Sequence, residues 1–272
     1  MNYIQVTIQP VTEEQKEILV ALLSNEGYEG FVEEETSMKA FISRDLFSEE
    51  ALADVLAVYQ LSYISETIEK QNWNKVWESN FDPVVVNDFV AIRADFHEPI
   101  KDVQHEILIT PKMSFGTGHH ATTFMMIEEM GKLDIDQKTV FDFGTGTGIL
   151  AILADKLGAA SVYAIDNDEW SIENATENVE KNNCGNVTLQ LADTAVTGKQ
   201  YDVILANINK NIILSNLDAL ITQLSTSGHL LLSGLLVEDE SEISDALKKY
   251  DITHLTTNSK KQWICMVFKA KS

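Results

Sequence analysis

The sequence predicts two α/β domains. A Rossmann-like, doubly wound domain spans residues 83–272, and a smaller ferredoxin-like (βαββαβ) α+β domain spans 1–70; a linker helix over 71–82 joins them. Three observations carry this expectation. The stretch Thr139 to Asp166, TVFDFGTGTGILAILADKLGAASVYAID, reads as strand, glycine turn, helix and strand. Strand and helix patterns alternate from there to the C-terminus. Residues 1–70 run in the order β-α-β-β-α-β.

Composition narrows the class. The 272 residues are enough for two domains with a sizeable core, and 44% hydrophobic content fits a globular chain. No apolar run approaches the roughly 20 residues of a membrane span, and MNYIQVTIQP has neither a basic n-region nor an apolar h-region. Cys184 and Cys265 are far apart with no CxxC spacing, so free thiols and a cytoplasmic location are expected. The net charge of −22 argues against a nucleic-acid surface. It suits either steering towards a basic partner or simple solubility. A monomer is the default expectation.

In the first domain, Tyr3 to Ile8 alternates as a half-buried strand, with Ile4, Val6 and Ile8 on one face. Thr12 and Gln15 form a capping box, opening a helix with Ile18, Leu19, Leu22 and Leu23 as its apolar stripe and ended by Gly27 and Gly30. Two strands follow, Phe31 to Glu35 and Met38 to Ile42. A helix from Ser48 points Leu52, Val55 and Leu56 inward, and Leu61 to Ile68 alternates again. The domain holds 14 Asp/Glu against 4 Lys/Arg, a net of −10, and no cluster that bears chemistry. A docking module is the simplest functional reading; a structural appendage is the plain one. In the linker, Trp73, Val76, Trp77 and Phe81 fall at helical spacing, and Pro83 stops the helix.

The second domain opens with strands at Val84 to Val86, Phe89 to Ala94 and Glu106 to Thr110. The loop PKMSFGTGHHATT then leads into a helix carrying Met126, Ile127 and Met130. Adjacent His119 and His120 raise a metal reading, but no third ligand stands at a convincing spacing, so no metal is expected. The loop is read as covering a ligand, with a threonine hydroxyl, Thr122 or Thr123, hydrogen-bonding it.

The glycine turn comes next. Gly144, Gly146 and Gly148 let the backbone bend sharply and let a ligand approach closely. Gly158 closes the following helix, and Asp166, ending the second strand, suits a ribose hydroxyl pair. The dinucleotide fingerprint G-x-G-x-x-G requires glycine at position 149, which is Ile149. The spacing G-x-G-x-G after Asp142 instead resembles class I S-adenosylmethionine-dependent methyltransferases. A helix over Trp170 to Asn182 leads to a third strand, Val187 to Leu191, and then Asp193, placed where an acid meets an adenine amino group in such folds. The fourth strand, Tyr201 to Ala206, ends in Asn207. A helix over Ile212 to Leu224, a strand over Gly228 to Ser233, a helix over Glu240 to Lys249, and strands over Thr253 to Thr257 and Trp263 to Lys269 complete the alternation.

FGTGHHATT, DFGTGTGILAILADKLGA, AIDND, ANI and SGLL together resemble the family of ribosomal protein L-eleven methyltransferases (PrmA), over nearly the whole chain. The resemblance implies methyl transfer from S-adenosylmethionine to lysine ε-amines and the N-terminal α-amine of a basic ribosomal protein, gripped by the acidic N-terminal domain. It implies Thr123, Gly144, Gly146, Asp166 and Asn207 as cofactor contacts, with Phe115 and the loop glycines shaping the pocket over the methionine end. His119 and Ala121 stand where the family commonly has Thr and Pro, so the loop is less pre-set in φ.

For catalysis, Asn207 is an amide and no base, but its side-chain oxygen can accept a hydrogen bond from the amine and aim its lone pair. His119 or His120 could receive the proton, or water could take it earlier. A glutamine-type amide methyltransferase is the alternative enzyme. It is associated with [ND]PPY at the end of the fourth strand, where this chain has Asn207-Ile208-Asn209. A non-catalytic binding module that retains the cofactor fold is the alternative from a different class.

Overall fold

The computed structural model describes residues 3–34, 36–59, 61–68, 82–111 and 118–271. The chain divides into two compact units, Met1–Asn80 and Phe81–Ser272. Apart from Asp82, the linker helix expected at 71–82 lies outside the described residues.

In the first unit, strands β1 (Tyr3–Gln9), β2 (Gly30–Glu33), β3 (Met38–Ser43) and β4 (Ser62–Ile68) make an antiparallel sheet in the order β2-β3-β1-β4. Helices α1 (Glu13–Asn25) and α2 (Glu49–Ala57) complete the ferredoxin-like order. Alternation along β1 buries Ile4, Val6 and Ile8 in one core with Leu19, Leu23, Leu52 and Leu56. The capping box is formed: Gln15 N–H donates to Thr12 Oγ1 (3.3 Å) and Thr12 N–H to Gln15 Oε1 (2.9 Å). Gly27, at φ +90°, ends α1 as Tyr28 N–H returns to the Leu23 carbonyl (3.1 Å). Gly30 therefore opens β2 instead of closing the helix, and the second strand starts and ends earlier than expected.

In the second unit, β5 (Val84–Val86), β6 (Val90–Ala94) and β7 (His105–Ile109) form a small sheet in chain order. The main sheet comprises β8 (Thr139–Phe143), β9 (Ser161–Asp166), β10 (Val187–Leu191), β11 (Tyr201–Asn207), β12 (Leu224–Leu236), β13 (Ile252–Lys260) and β14 (Trp263–Ala270). Their order is β10-β9-β8-β11-β12-β14-β13. Neighbours from β10 to β12 are parallel, and β14 runs antiparallel on both sides. Helices α3 (Ala121–Met130), α4 (Ile149–Lys156), α5 (Glu169–Lys181), α6 (Lys210–Thr222) and α7 (Glu240–Leu247) cover the two faces. Val140, Val203, Leu205 and Leu231 pack with α3 and α4 on one side, whereas Phe141, Ile204, Ala206 and Leu230 pack with α6 and α7 on the other. Successive residues of one strand thus enter opposite cores, which is why these strands read as continuous apolar runs.

Two devices position the site. Chain winding reverses between β8 and β11, and ligands of doubly wound sheets bind outside the carboxyl ends of the strands at such a point. The free edge of β7 is held by buried asparagines of α5 and its C-cap. Thr110 N–H donates to Asn178 Oδ1 (2.7 Å), Leu108 N–H to Asn182 Oδ1 (3.0 Å), and Asn178 Nδ2 to the Thr147 carbonyl (2.8 Å). β12 is longer than the Gly228 to Ser233 expected: it starts at Leu224, where a helix end was expected, and runs on to Leu236 because Gly234 does not stop it. The strand passes through Gly234 as a bulge, with register slipping between Ser233 and Leu235 against β14. α6 begins at Lys210, two residues before the expected Ile212, because Asn209 caps it: Ile212 N–H donates to Asn209 Oδ1 (3.2 Å).

Candidate active site

The glycine turn folds back on the end of β9. Gly144 and Thr145 N–H both donate to the Ile165 carbonyl (2.9 Å each), and Gly148 N–H donates to the Thr145 carbonyl (2.9 Å). Gly144, Gly146 and Gly148 lie at φ +79°, +55° and +82°, a left-handed region that side chains disfavour. Gly146 N–H donates to Asp166 Oδ2 (2.8 Å) and Asp168 N–H to Asp166 Oδ1 (3.1 Å). Two main-chain donors thus fix the carboxylate at the strand end, and its remaining lone pairs can take a vicinal diol.

A cleft of ≈ 320 Å³ opens there. Gly144, Gly146, Asp166 and Ser171 line one side; Asn207, Ile208, Asn209 and Gly234 line another; His120, Thr122 and Trp263 complete it. A narrow recess of ≈ 30 Å³ beside it brings Thr123 and Asn207 together over the glycine turn. Asn207 Nδ2 donates to Thr123 Oγ1 (3.3 Å), while its buried Oδ1 accepts no hydrogen bond from the described residues. Larger depressions, ≈ 490 Å³ beside Asp218 and Tyr250 and ≈ 420 Å³ beside Pro10 and Tyr63, contain none of the expected site residues.

The expected residues separate accordingly. Thr123, Gly144, Gly146, Asp166 and Asn207 converge. Asp193 is exposed beyond β10 and does not line the cleft. Phe115 lies outside the described residues. His119 is not brought to the cleft either: it is exposed, with Nε2 2.8 Å from the Asp82 carbonyl oxygen. His120 lines the cleft instead. Its Nδ1 lies 2.8 Å from Thr122 Oγ1 as the cap of α3, and its ring stands edge-on to Trp263 with centroids 4.5 Å apart. Trp263 was missed because nothing local marks it; the antiparallel pairing of β14 with β12 carries it to the site from 56 residues beyond Asn207. Ile208 adjoins Asn207, so motif adjacency could have marked it.

Beneath the turn, Asp142 is buried, with Thr145 Oγ1 donating to its Oδ2 (2.6 Å) and its Oδ1 accepting no hydrogen bond from the described residues. Burial pushes its carboxyl up to about 7; the Thr145 hydrogen bond opposes this and the nearby Asp166 charge adds to it.

The family model for ribosomal protein L11 methyltransferase (PrmA) matches residues 2–271. The chain belongs to this family. It is 36% identical to a ribosomal protein L11 methyltransferase of Bacteroides fragilis, covering 98% of this chain and 99% of that one. It is 37% identical to that of Phocaeicola vulgatus over the full length of both. Among solved structures, it matches the ribosomal protein L11 methylase of Lactobacillus delbrueckii subsp. bulgaricus with a TM-score of 0.66 and 29% identity, over 71% of this chain and all of that one. A methyltransferase from Pyrococcus furiosus, with a TM-score of 0.52 and 17% identity over 61% of this chain and 90% of that one, shares the fold.

The chain is therefore a methyltransferase with a Rossmann-like fold, and its cofactor is S-adenosylmethionine. The residues present fit that group. The glycine turn admits close approach, Asp166 can take the ribose hydroxyls, and Asn207 and Thr123 close the far side.

Proposed function

We propose that the protein transfers methyl groups to lysine ε-amines and the N-terminal α-amine of ribosomal protein L11, docked through its acidic N-terminal unit, in the cytoplasm. The observation that carries this is Asn207 Oδ1, buried at the cleft with no hydrogen-bond partner among the described residues. A buried acceptor left unpaired costs about 1–3 kcal/mol, and a substrate N–H relieves it.

Bound in the cleft, S-adenosylmethionine supplies an electrophilic methyl group on a sulfonium. Thr123 holds the Asn207 amide by its nitrogen, leaving the oxygen to accept from the amine. That contact aims the nitrogen lone pair, and alignment is the main catalytic contribution. A free lysine has a pKa near ~10.4, and partial burial favours the neutral amine, so the ammonium gives up a proton to water or a nearby base before its nitrogen can attack. His120, beside the cleft, is better placed than His119 to assist that release. The acidic first unit suits a basic ribosomal protein, and its lack of chemistry-bearing residues suits docking over catalysis.

The test is mass spectrometry of purified ribosomal protein L11 before and after incubation with enzyme and S-adenosylmethionine. Mass increases of 14 Da per methyl group, mapped to lysine and the N-terminus and reduced at least about 10²-fold in rate by Asn207→Ala, are expected. No mass increase from enzyme that demonstrably binds the cofactor would sink the reading.

A further inference from the structure

Ile208 is wedged between two glycines from different parts of the chain. A Cβ on Gly144 would lie 2.2 Å from Ile208 Cγ2. A Cβ on Gly234 would lie 2.2 Å from the Ile208 carbonyl oxygen, 2.7 Å from its carbon and 2.9 Å from its nitrogen. Gly234 is also at φ +80°, so any side chain there is strained as well as obstructed.

The topology explains the approach. β12 pairs in parallel with β11 up to Asn207 opposite Ser233. The next residues, Ile208 and Gly234, meet where β12 bulges against β14. A flexible side chain could turn away from an added methyl group, but three main-chain atoms cannot move without dragging the residue before them. That residue is Asn207. The other end of the tripeptide is also held: Asn209 caps α6, and Lys210 Nζ pairs with Asp239 and Glu242, each at 2.8 Å, in the segment that follows β12.

We propose that Gly234 is a positioning residue for methyl transfer. Its bulge admits the Ile208 peptide and, with Ile208 braced against Gly144, fixes the direction in which Asn207 Oδ1 faces the incoming amine. This rests on the reading of Asn207 as the amine acceptor and adds what aims it. It also accounts for Ile208: a branched side chain with a Cγ2 fills the gap left by the missing Cβ of Gly144, so the cofactor turn and the amine acceptor share one contact.

The experiment compares Gly234→Ala, Ile208→Ala, Ile208→Val and Asn207→Ala. It reads kcat and KM for purified ribosomal protein L11 with labelled S-adenosylmethionine, cofactor Kd by calorimetry, and thermal midpoint. Gly234→Ala is expected to lower kcat by about 10²-fold with KM and cofactor Kd within about threefold, the signature of a misplaced group. Ile208→Ala creates no clash, so it probes the brace if Gly234→Ala fails to fold; it is expected to lower kcat by about tenfold, with Ile208→Val, which keeps Cγ2, restoring it to within about twofold. Wild-type kcat in Ile208→Ala, or a fall in Ile208→Val equal to that in Ile208→Ala, overturns the clamp. If Asn207→Ala retains wild-type kcat, the amine-acceptor reading itself fails. If Asn207→Ala is impaired while Gly234→Ala is not, only the clamp fails.

Discussion

Asp142 shows what a single buried residue does to this protein. Its carboxyl titrates near 7 in the folded chain and near 3.8 when free. Between those values the folded state binds a proton that the unfolded state has lost, so stability falls as pH rises through the window and the full cost remains above it. Asn at this position has no charge to bury. The unfolding free energy of the wild type, minus that of Asp142→Asn, is therefore expected to fall from pH 4 to pH 7 and to level off outside that range. Denaturant titrations at pH 4, 5.5, 7 and 8 check it, and a constant difference across the window contradicts the assignment. The same carboxylate anchors Thr145, so the cost is borne at the glycine turn.

Among the elements, α3 starts in an unusual way. His120 caps it in place of Ser, Thr, Asp or Asn, with an extended backbone at φ −74° and ψ 141°, and Ala121 is the first helical residue. The first helical position favours proline, and an extended preceding residue is what proline requires. Ala121→Pro is expected to stabilise the second unit by about 0.4–1 kcal/mol, chiefly by restricting the unfolded chain. Calorimetry should show a rise of about 1–4 °C in its thermal midpoint, whereas a fall would mean that the Ala121 N–H has a partner proline removes. The asparagines of α5 show a different local economy. Spaced four residues apart, they satisfy the free edge of β7 and reach the glycine turn through Asn178. In sequence they are polar positions on a helix; only the fold gives each a main-chain partner.

At the scale of the molecule, charge is the dominant feature. The chain carries −22, and residues 1–70 contribute −10 of it. If a basic protein docks on that unit, attraction raises encounter and weakens as salt shortens its range. KM for ribosomal protein L11 is expected to rise about tenfold between roughly 50 and 300 mM salt, with kcat nearly unchanged. Steady-state kinetics across that range decide it; a salt-independent KM would assign the charge to solubility.

Local chemistry carried much of this protein into its sequence. Backbone preference alone explains the glycine turn, the capping box at Thr12 and the apolar strands. Each depends on neighbours within a few residues, so Gly144, Asp166 and Asn207 were legible as residues at the carboxyl ends of strands, and it was the family resemblance that marked Asn207 for a role. Strand ends at Gly234 and helix starts at Asn209 were less legible, because a bulge and a cap depend on what lies across from them. The cleft itself was decided in three dimensions. Parallel pairing of β11 with β12 sets Ile208 against Gly234, antiparallel pairing of β14 with β12 delivers Trp263, and His120, as the cap of α3, lines the cleft while His119 is exposed beside the Asp82 carbonyl. Sequence periodicity reports which face a residue occupies, not which distant residue it meets: Asn207 meets Thr123 of α3, and its neighbour Ile208 meets Gly144 and Gly234, all far away along the chain.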